Sequence, residues 1–533
     1  MTGFLPVRAD WVGATRRDLL AGVTVAVVAL PLALGFGVAS GLGAASGLVT
    51  AVVAGALAAV FGGSSLQVSG PTGAMTVVLV PIVARYGVDG VLTVGLLAGV
   101  LLVVLAVARA GRYMRYVPVP VVEGFTIGIA AVIALQQVPA ALGVPAPAED
   151  HVVRAVVAAV SEFAAAPRWE AVALAGGVAL VVLAGARWRP GVPFSLPAVV
   201  VGTLAAQWLP VARIGELPAS LPAPSFGFLD LGAVWSLLPS AVAVAALAAL
   251  ESLLSAAVAD GMSVNQRHDP DRELFGQGLA NLVVPLFGGV PATAAIARTA
   301  VNVRSGATSR LAALTHALVL LVIVLVAAPW VAQVPLAVLA GVLLATAVRM
   351  IEVGSVRALV RSGRSDAAVL ALTAVATLAL DLVTAVIVGL VLAGVFALRA
   401  VSRTARLEEV PLEPGDHREE ERALLAQHIV AYRLDGPLLF AAAHRFLLEL
   451  TEIAPVSVVI LRMSRVSAID ATGVHVLRDA VRRLEHRGIT VLMSGVREEH
   501  RRALATLDVH TFDHTPDAIN HARALLEERD LLP

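Results

Sequence analysis

Two ionisable residues stand out because they lie inside long apolar stretches. Glu251 occurs in "ALAALESLLSAAVAD", with Ser252 and Ser255 close to it on the same segment, and Arg298 occurs in "PATAAIARTAVNVRSG". Ionisable residues within membrane spans are costly and by default functional. A buried carboxylate among hydroxyl groups can carry a proton or bind a cation, and a guanidinium can attract an anion. Arg298 could alternatively be an anchor that reaches for the membrane surface.

Three further ionisable residues fall inside or at the ends of apolar segments. Glu123 lies near Arg115, which favours an interfacial ion pair, and Asp381 falls at a tight turn where helix capping suffices. His316 is expected to be a hydrogen-bonded core histidine, with proton relay as the alternative. Glu251 and Arg298 therefore remain the main candidates for chemistry.

The segment "FGGSSLQVSGPTGAMTVVL" (61–79) interrupts an apolar run with Gly, Ser and Pro residues, and a second segment, "FGGVPATAAIARTA" (287–300), repeats the pattern. These two interruptions are the first break and the second break. A helix that begins at Pro71 or Pro291 leaves its first N–H groups unpaired within the membrane. Such groups are tolerated only where they line a cavity or meet a ligand. Each helix end acts as roughly +0.5 charge. Two opposed ends therefore predict a site for a small anion.

The residues around both breaks suit close contact between an anion and the backbone. The expected hydroxyl donors are Thr72 and Thr293, and the small residues are Gly70, Gly73, Ala74, Ala294 and Ala295. Gly73 and Ala295 are expected to face a cavity, so that added bulk at either position would exclude the anion without disturbing the fold.

Composition identifies the elements that must hold these residues. Of 533 residues, 58% are hydrophobic and only 15% are charged, which indicates a polytopic α-helical membrane protein. Hydropathy predicts about fourteen membrane segments, the third at 67–86 and the tenth at 290–303. Because these two are seven spans apart, the second copy is inverted in the membrane. Interrupted segments in inverted repeats are a pointer to a transporter's central site.

The distribution of basic residues predicts the orientation. Clusters such as "ARAGRYMR" (108–115) and "LRAVSRTAR" (398–406) all fall on one side if both termini are cytoplasmic, while the opposite connections are nearly free of Arg. The predicted location is the inner (cytoplasmic) membrane. The sequence contains no Lys, which excludes an ATP-binding P-loop and a retinal Schiff base. Zero net charge gives no reason to expect a nucleic-acid partner.

The composition changes after about Arg403. Short β-branched runs then alternate with amphipathic helical segments, which predicts a small cytoplasmic α/β domain. The expected organisation is a transmembrane domain at 1–402, a charged linker at 403–424 and the α/β domain at 425–533. In "SAIDATG", Thr472 is expected to cap the helix that follows Asp470.

The stretches "LLAGVTVAVVALPLALGFGVASG", "QVSGPTGAMTVV", "ESLLSAAVAD" and "FGGVPATAAIARTAVNVRSGA" resemble signatures of the sulfate permease (SulP) anion transporters, and the tail resembles their STAS domain. The resemblance implies a seven-plus-seven inverted repeat with core and gate domains, a homodimer and an elevator-like movement. Matching positions imply an anion site that includes Phe36, Thr72, Gly73, Ala294, Ala295 and Arg298. The same matching places Glu251 with Ser255 at the cation-coupling position.

The resemblance implies a secondary transporter rather than an enzyme, with no cofactor and no metal. Sulfate, a dicarboxylate such as fumarate or succinate, and bicarbonate all suit such a site. Glutamate at position 251 favours proton coupling over sodium coupling. A sodium-coupled bicarbonate symporter, an uncoupled anion channel and an anion-gated sensor remain the alternatives. Related STAS domains carry a phosphorylatable serine where this sequence has Ala471.

Overall fold

The computed structural model describes residues 16–145, 147, 152–189, 192–218, 220–263, 266–380, 382–402, 406–410, 427–438 and 456–529, together with Phe4, Pro6 and Trp11. The chain divides into two compact units, Met1–Val391 and Leu392–Pro533.

The membrane part is almost entirely helical, and two short strands interrupt it. Its first half contains α1 (Arg16–Ala39), α2 (Ala44–Phe61), β1 (Ser69–Gly70), α3 (Gly73–Val107), α4 (Val119–Gln136), α5 (Val138–Leu142), α6 (Val152–Ala165), α7 (Trp169–Trp188) and α8 (Ser195–Ala205). Its second half contains α9 (Val234–Met262), α10 (Pro270–Val283), β2 (Thr293–Ala294), α11 (Ile296–Arg304), α12 (Arg310–Val331), α13 (Leu336–Met350), α14 (Val353–Ser362), α15 (Arg364–Ala379) and α16 (Leu382–Ser402).

Within the described ranges, nine helical segments are long and apolar enough to cross a membrane. The 35-residue α3 covers two expected spans, which meet at Gly87, where φ is +69°. The helix at the tenth expected span, α11, has only nine residues. A polytopic helical membrane fold is therefore confirmed, while the count of fourteen spans stays a prediction.

Small residues allow the helix backbones to approach each other closely. A Cβ atom on Gly99 of α3 would lie 2.6 Å from the backbone nitrogen of Leu282, and one on Gly47 of α2 would lie 2.0 Å from the Ala33 carbonyl oxygen. Between membrane helices, where the lipid is as apolar as the side chains, such close packing supplies much of the association energy. Substitution at Gly99 would push α3 away from α10, and substitution at Gly47 would push α2 away from α1.

The C-terminal unit contains a five-stranded sheet in the order β3-β4-β5-β6-β7. The strands are β3 (Arg406–Val410), β4 (Ile429–Leu438), β5 (Val458–Ile469), β6 (Thr490–Ser494) and β7 (His510–Phe512), and the helices are α17 (Ala471–His486), α18 (Glu498–Leu504) and α19 (Thr515–Glu528). β3 is antiparallel to β4, and the other neighbouring strands are parallel.

Alternation along β5 explains how both faces of this sheet are covered. Val459 and Leu461 belong to one apolar cluster, with side chains of α17 and α18, while Val458 and Ile460 belong to a second cluster with side chains of α19. At the start of α17, Asp470 Oδ1 accepts a hydrogen bond of 2.7 Å from Gly473 N. The expectation that Thr472 caps this helix is therefore wrong, because the carboxylate one residue before the helix already takes that role.

Candidate functional site

The two breaks lie side by side because their short strands pair with each other. β1 and β2 are antiparallel, with Ser69 opposite Ala294 and Gly70 opposite Thr293. The pairing extends by one further bond, 3.0 Å long, from Ala295 N to the Val68 carbonyl oxygen. Backbone groups that would otherwise be unpaired within the membrane thus satisfy each other. Helices α3 and α11 begin at either end of this pair.

The helices do not begin at the two prolines. α3 begins at Gly73, two residues after Pro71, and α11 begins at Ile296, five residues after Pro291. The expected start at Pro291 is wrong because β2 (Thr293–Ala294) comes before α11 and the Asn281 side chain occupies both backbone hydrogen-bonding groups of Ala292. Its Nδ2 donates to the Ala292 carbonyl oxygen (2.9 Å), and its Oδ1 accepts from Ala292 N (2.8 Å).

Thr72 connects the first break to Glu251. Its Oγ1 accepts a 3.3 Å hydrogen bond from Met75 N, which caps α3, and its hydroxyl donates to Glu251 Oε2 at 2.9 Å. Thr72 is buried, and Glu251 lies in the middle of α9. The sequence-based prediction placed Thr72 at the anion and Glu251 at the coupling ion. The structure places the two side chains in direct contact.

Arg298 lies in the first turn of α11, and only 1% of its surface is exposed. Its Nη2 donates to the Pro71 carbonyl oxygen, while Nε and Nη1 have no hydrogen-bond partner in the described part of the chain. A buried side chain that is bonded to the other break is not a surface anchor, so that alternative is wrong. The guanidinium keeps two donors for a further acceptor.

Gly70 makes room for this guanidinium. A Cβ atom on Gly70 would lie 2.6 Å from Arg298 Nη1, and its φ of +153° is one that other residues rarely adopt. The glycine of the first break is thus required by the arginine of the second break.

Four hydroxyl groups connect α9 to the second break and to α11. Ser252 Oγ lies 3.0 Å from Thr293 Oγ1, and Thr293 Oγ1 donates to the Ala248 carbonyl oxygen at 3.2 Å. Ser255 Oγ donates to Thr299 Oγ1 at 2.9 Å. In this arrangement Thr293 gives its hydrogen to the protein itself, and Ser255 bonds to α11 rather than to Glu251.

The small residues differ in the space around them. A Cβ atom on Gly73 would lie 2.1 Å from Ile133 Cδ1 and 3.1 Å from the Phe36 ring, so the expectation that Gly73 faces open space is wrong. Ala74 and Ala294 are each only 1% exposed. Ala295, immediately before α11, is half-buried and its helix has no side-chain cap. Among these small positions, Ala295 gives an anion the most room.

A large cavity of about 1920 Å³ lies elsewhere in the membrane part. Its walls include the end of α1 at Ser40, the middle of α3 at Pro81 and Arg85, and the first part of α9 at Ser240. Thr72, Glu251 and Arg298 do not belong to its lining.

The sequence-based reasoning missed a polar network on α10. The buried Glu273 carboxylate accepts hydrogen bonds from Gly63 N (2.9 Å), Ser64 N (3.2 Å), Gln67 Nε2 (2.6 Å) and Gln277 Nε2 (3.0 Å). Gln277 Nε2 also lies 2.6 Å from Ser69 Oγ. Positions 273, 277 and 281 recur every four residues on a helix, and this spacing of polar residues beside an apolar span was the signal that could have revealed them.

The other ionisable residues singled out in the sequence are His316, Glu123 and Asp381; of these, His316 lies near Ser69 of the first break, since a Cβ atom on Gly55 would lie 3.5 Å from the Ser69 carbonyl oxygen and 3.6 Å from His316 Cε1. His316 is fully buried in α12, which agrees with a core position, and its role as a core histidine or a proton relay stays a prediction. Glu123 Oε1 accepts from Ser355 Oγ at 2.8 Å, and the Arg115 side chain expected to pair with it lies outside the described residues. Asp381 also lies outside them.

The architecture and the paired breaks define a helical membrane transporter, and comparison with known families identifies which one. The sulfate permease family matches residues 16–373, and the STAS domain matches residues 423–522. The chain belongs to the sulfate permease family and carries a C-terminal STAS domain.

Relatives resemble the chain over nearly its whole length. It is 35% identical to the putative sulfate transporter YvdB of Bacillus subtilis, over 94% of this chain and 96% of that protein. It is 30% identical to the bicarbonate transporter BicA of Synechocystis, over 93% of this chain and 91% of that protein.

Solved structures show the same fold. The transmembrane domain of a cyanobacterial BicA matches with a TM-score of 0.62 at 32% identity, covering 71% of this chain and 97% of that domain. Murine Slc26a9 matches with a TM-score of 0.80, covering 98% of this chain and 94% of that protein, and at 17% identity it supports the fold alone.

Proposed function

We propose that this protein is a secondary active transporter of a small anion, and that the anion binds at the two breaks. The observation that carries the proposal is the buried Arg298 guanidinium with two unpaired nitrogens. A buried cation without a full set of acceptors is costly unless a ligand completes it. The N-terminal end of α11, which no side chain caps, adds its partial positive charge beside Arg298.

The substrate is a small oxyanion or dicarboxylate that fits between Ala295, the start of α11 and Arg298. Sulfate, bicarbonate, fumarate and succinate all carry charged acceptor oxygens for the unpaired N–H donors of the Arg298 guanidinium. The names of the relatives, a putative sulfate transporter and a bicarbonate transporter, support the first two.

The electrical cost of anion entry and the position of Glu251 support coupling to a proton. When the cell interior is negative, moving a dianion inward costs about 4.6 kcal/mol of electrical free energy per 100 mV of membrane potential, because each charge contributes about 2.3 kcal/mol. Uptake therefore needs a cotransported cation or an exchanged anion. Glu251 lies one hydrogen bond from the first break and has no basic partner within ion-pair distance in the described ranges, so it is suited to gain and lose a proton. The movement is elevator-like.

The first alternative is sodium-coupled bicarbonate symport. The identity to BicA favours bicarbonate, and the oxygens of Glu251, Ser255 and Thr299 are the hard ligands that a small cation prefers. The second alternative, an uncoupled channel or an anion-gated sensor, leaves Glu251 without a role.

The proposed setting is the cytoplasmic membrane, in contact with lipid, as a homodimer with both termini and the STAS domain in the cytoplasm. The transmembrane domain at 1–402, the linker at 403–424 and the STAS domain at 425–533 form one transporter and its regulatory tail. Ala471 cannot accept a phosphate, so regulation through the STAS domain works by binding rather than by phosphorylation at this position.

The test is uptake of labelled sulfate, bicarbonate, succinate and fumarate into proteoliposomes under imposed proton or sodium gradients. We expect accumulation of at least one anion under an inward proton gradient. Glu251→Gln should abolish that accumulation while some anion binding persists, and Glu352→Gln, at an exposed position before α14, should transport normally. Sodium-driven uptake alone would establish the first alternative, and gradient-driven uptake that survives Glu251→Gln would refute the role of this carboxylate.

A further inference from the structure

The hydroxyl group of Thr72 has one hydrogen and two potential acceptors. In the structure this hydrogen is donated to Glu251 Oε2 at 2.9 Å, while a lone pair of Thr72 Oγ1 accepts from Met75 N at 3.3 Å. A hydroxyl group donates one hydrogen bond and accepts up to two. As long as Glu251 is an acceptor, Thr72 cannot donate to an anion at the first break.

The position of Thr72 links the two halves of the proposed site. The residue before it, Pro71, is bonded to Arg298 through its carbonyl oxygen, and the residue after it, Gly73, begins α3. Among the described elements packed against α9, α11 carries the cation that interacts electrostatically with Glu251, which is Arg298. Glu273 on α10 is directed instead to residues 63–67.

We propose that Thr72 is a hydrogen-bond switch through which protonation of Glu251 prepares the anion site; this inference rests on the proposed function. A proton from solution binds a carboxylate oxygen of Glu251, and the new O–H donates to the second lone pair of Thr72 Oγ1. The Thr72 hydrogen then turns toward the anion, while the bond from Met75 N is kept. No covalent bond in the protein changes apart from the O–H bond formed on Glu251.

The switch makes proton and anion binding favour each other. Protonation removes a negative charge near the anion and releases one donor to it. By reciprocity, a bound anion that engages Thr72 raises the affinity of Glu251 for a proton to the same degree. A carrier with this property rarely moves the anion alone, because the deprotonated site lacks one of its donors.

The test compares anion affinity by calorimetry in acidic and alkaline buffer, with sulfate, chloride and nitrate as probes because none of them titrates between about pH 5 and about pH 9, where buried carboxyl groups titrate. Thr72→Val should weaken binding about tenfold or more in acidic buffer, the worth of one hydrogen bond to a charged group. In alkaline buffer it should change affinity little, since the hydrogen is already committed to Glu251. Thr72→Ser should behave like the unmodified protein.

Thr76→Val is the matched control. Thr76 lies one turn later on α3, and its single hydroxyl hydrogen has two backbone acceptors within reach, the Thr72 carbonyl oxygen at 3.0 Å and the Phe36 carbonyl oxygen at 3.4 Å. Any effect of this change on affinity should be the same at both pH values. In a Glu251→Gln background, where the amide can donate to Thr72 at every pH, the penalty of Thr72→Val should also be the same at both pH values.

An equal penalty of Thr72→Val in acidic and alkaline buffer, with Glu251 present, would overturn the switch while leaving the transporter proposal intact. If Thr72→Val does not purify as a monodisperse protein, Thr72→Ala removes the same hydrogen with less bulk and decides the question by the same comparison. Failure of the unmodified protein to bind any of the three probes at either pH would count against the proposed anion site itself.

Discussion

The two breaks share a backbone arrangement but differ in their chemistry. The first break has a side-chain cap, Thr72, which connects it to the carboxylate of Glu251. The second break has no side-chain cap, carries the permanent charge of Arg298, and is held in shape by the Asn281 amide. Each break supports the other, because Arg298 bonds to Pro71 and the two strands pair.

This difference shows that the repeated sequence pattern determines where the helices are interrupted, whereas individual side chains determine the chemistry of each break. The second break supplies a constant positive charge, and the first supplies a donor whose direction depends on Glu251. A symmetric pair of breaks would hold an anion equally well at every proton concentration. In the proposed mechanism, this asymmetry makes binding of the anion depend on protonation of Glu251.

The largest effect is expected from Arg298→Gln. Loss of the buried cation should reduce anion affinity by about a hundredfold or more, because charge-assisted hydrogen bonds contribute roughly 1.5 to 3 kcal/mol each. A divalent anion should lose more than a monovalent one, since the Coulomb energy scales with ligand charge. Calorimetry with sulfate and chloride measures both.

The matched control is Arg304→Gln, which removes an exposed arginine at the other end of the same helix. It should leave affinity unchanged. Similar losses in the two variants would mean that the charge of α11 acts at a distance rather than through a binding site at Arg298.

A smaller effect is expected from enlarging the small residues, because the space around Ala295 and around Gly73 differs. Ala295→Val should lower anion affinity about tenfold with little change in thermal stability, because Ala295 is half-buried beside the uncapped end of α11. Gly73→Ala should instead destabilise the protein by about 1 to 3 kcal/mol through the clash with Ile133. Melting temperature and affinity are measured on both variants, and the opposite pattern would mean that the anion does not lie beside Ala295.

The smallest effect on anion affinity is expected at Asn281, whose side-chain amide holds the backbone of the second break. Asn281→Ala leaves the buried N–H and C=O of Ala292 unpaired, and should cost about 2 kcal/mol of stability with a few-fold loss of affinity. Asn302→Ala removes a single bond, from its Nδ2 to the Leu66 carbonyl oxygen (2.7 Å), and should cost less. Thermal melts with and without sulfate compare the two, and a larger loss for Asn302→Ala would contradict the role given to Asn281.

Much of this arrangement follows from the sequence, and the exceptions have physical reasons. Apolar runs predict the helices, and the isolated charges at Glu251 and Arg298 mark the region of the site. Hydropathy cannot distinguish a buried strand residue from a helical one, so the segments at 67–86 and 290–303 appear helical where they contain strands. The contact between Thr72 and Glu251 joins distant parts of the chain, and no local pattern predicts which hydroxyl meets which carboxylate.

The pairing of β1 with β2 also has a consequence for how the protein is made. Ser69 and Gly70 enter the membrane more than two hundred residues before the strand that satisfies their backbone. At about 5 to 20 residues per second, the ribosome needs roughly 10 to 45 s to supply that partner. During this interval the nascent first half must keep its polar backbone near water, in the insertion machinery or at the lipid surface. The second half therefore completes the insertion of the first.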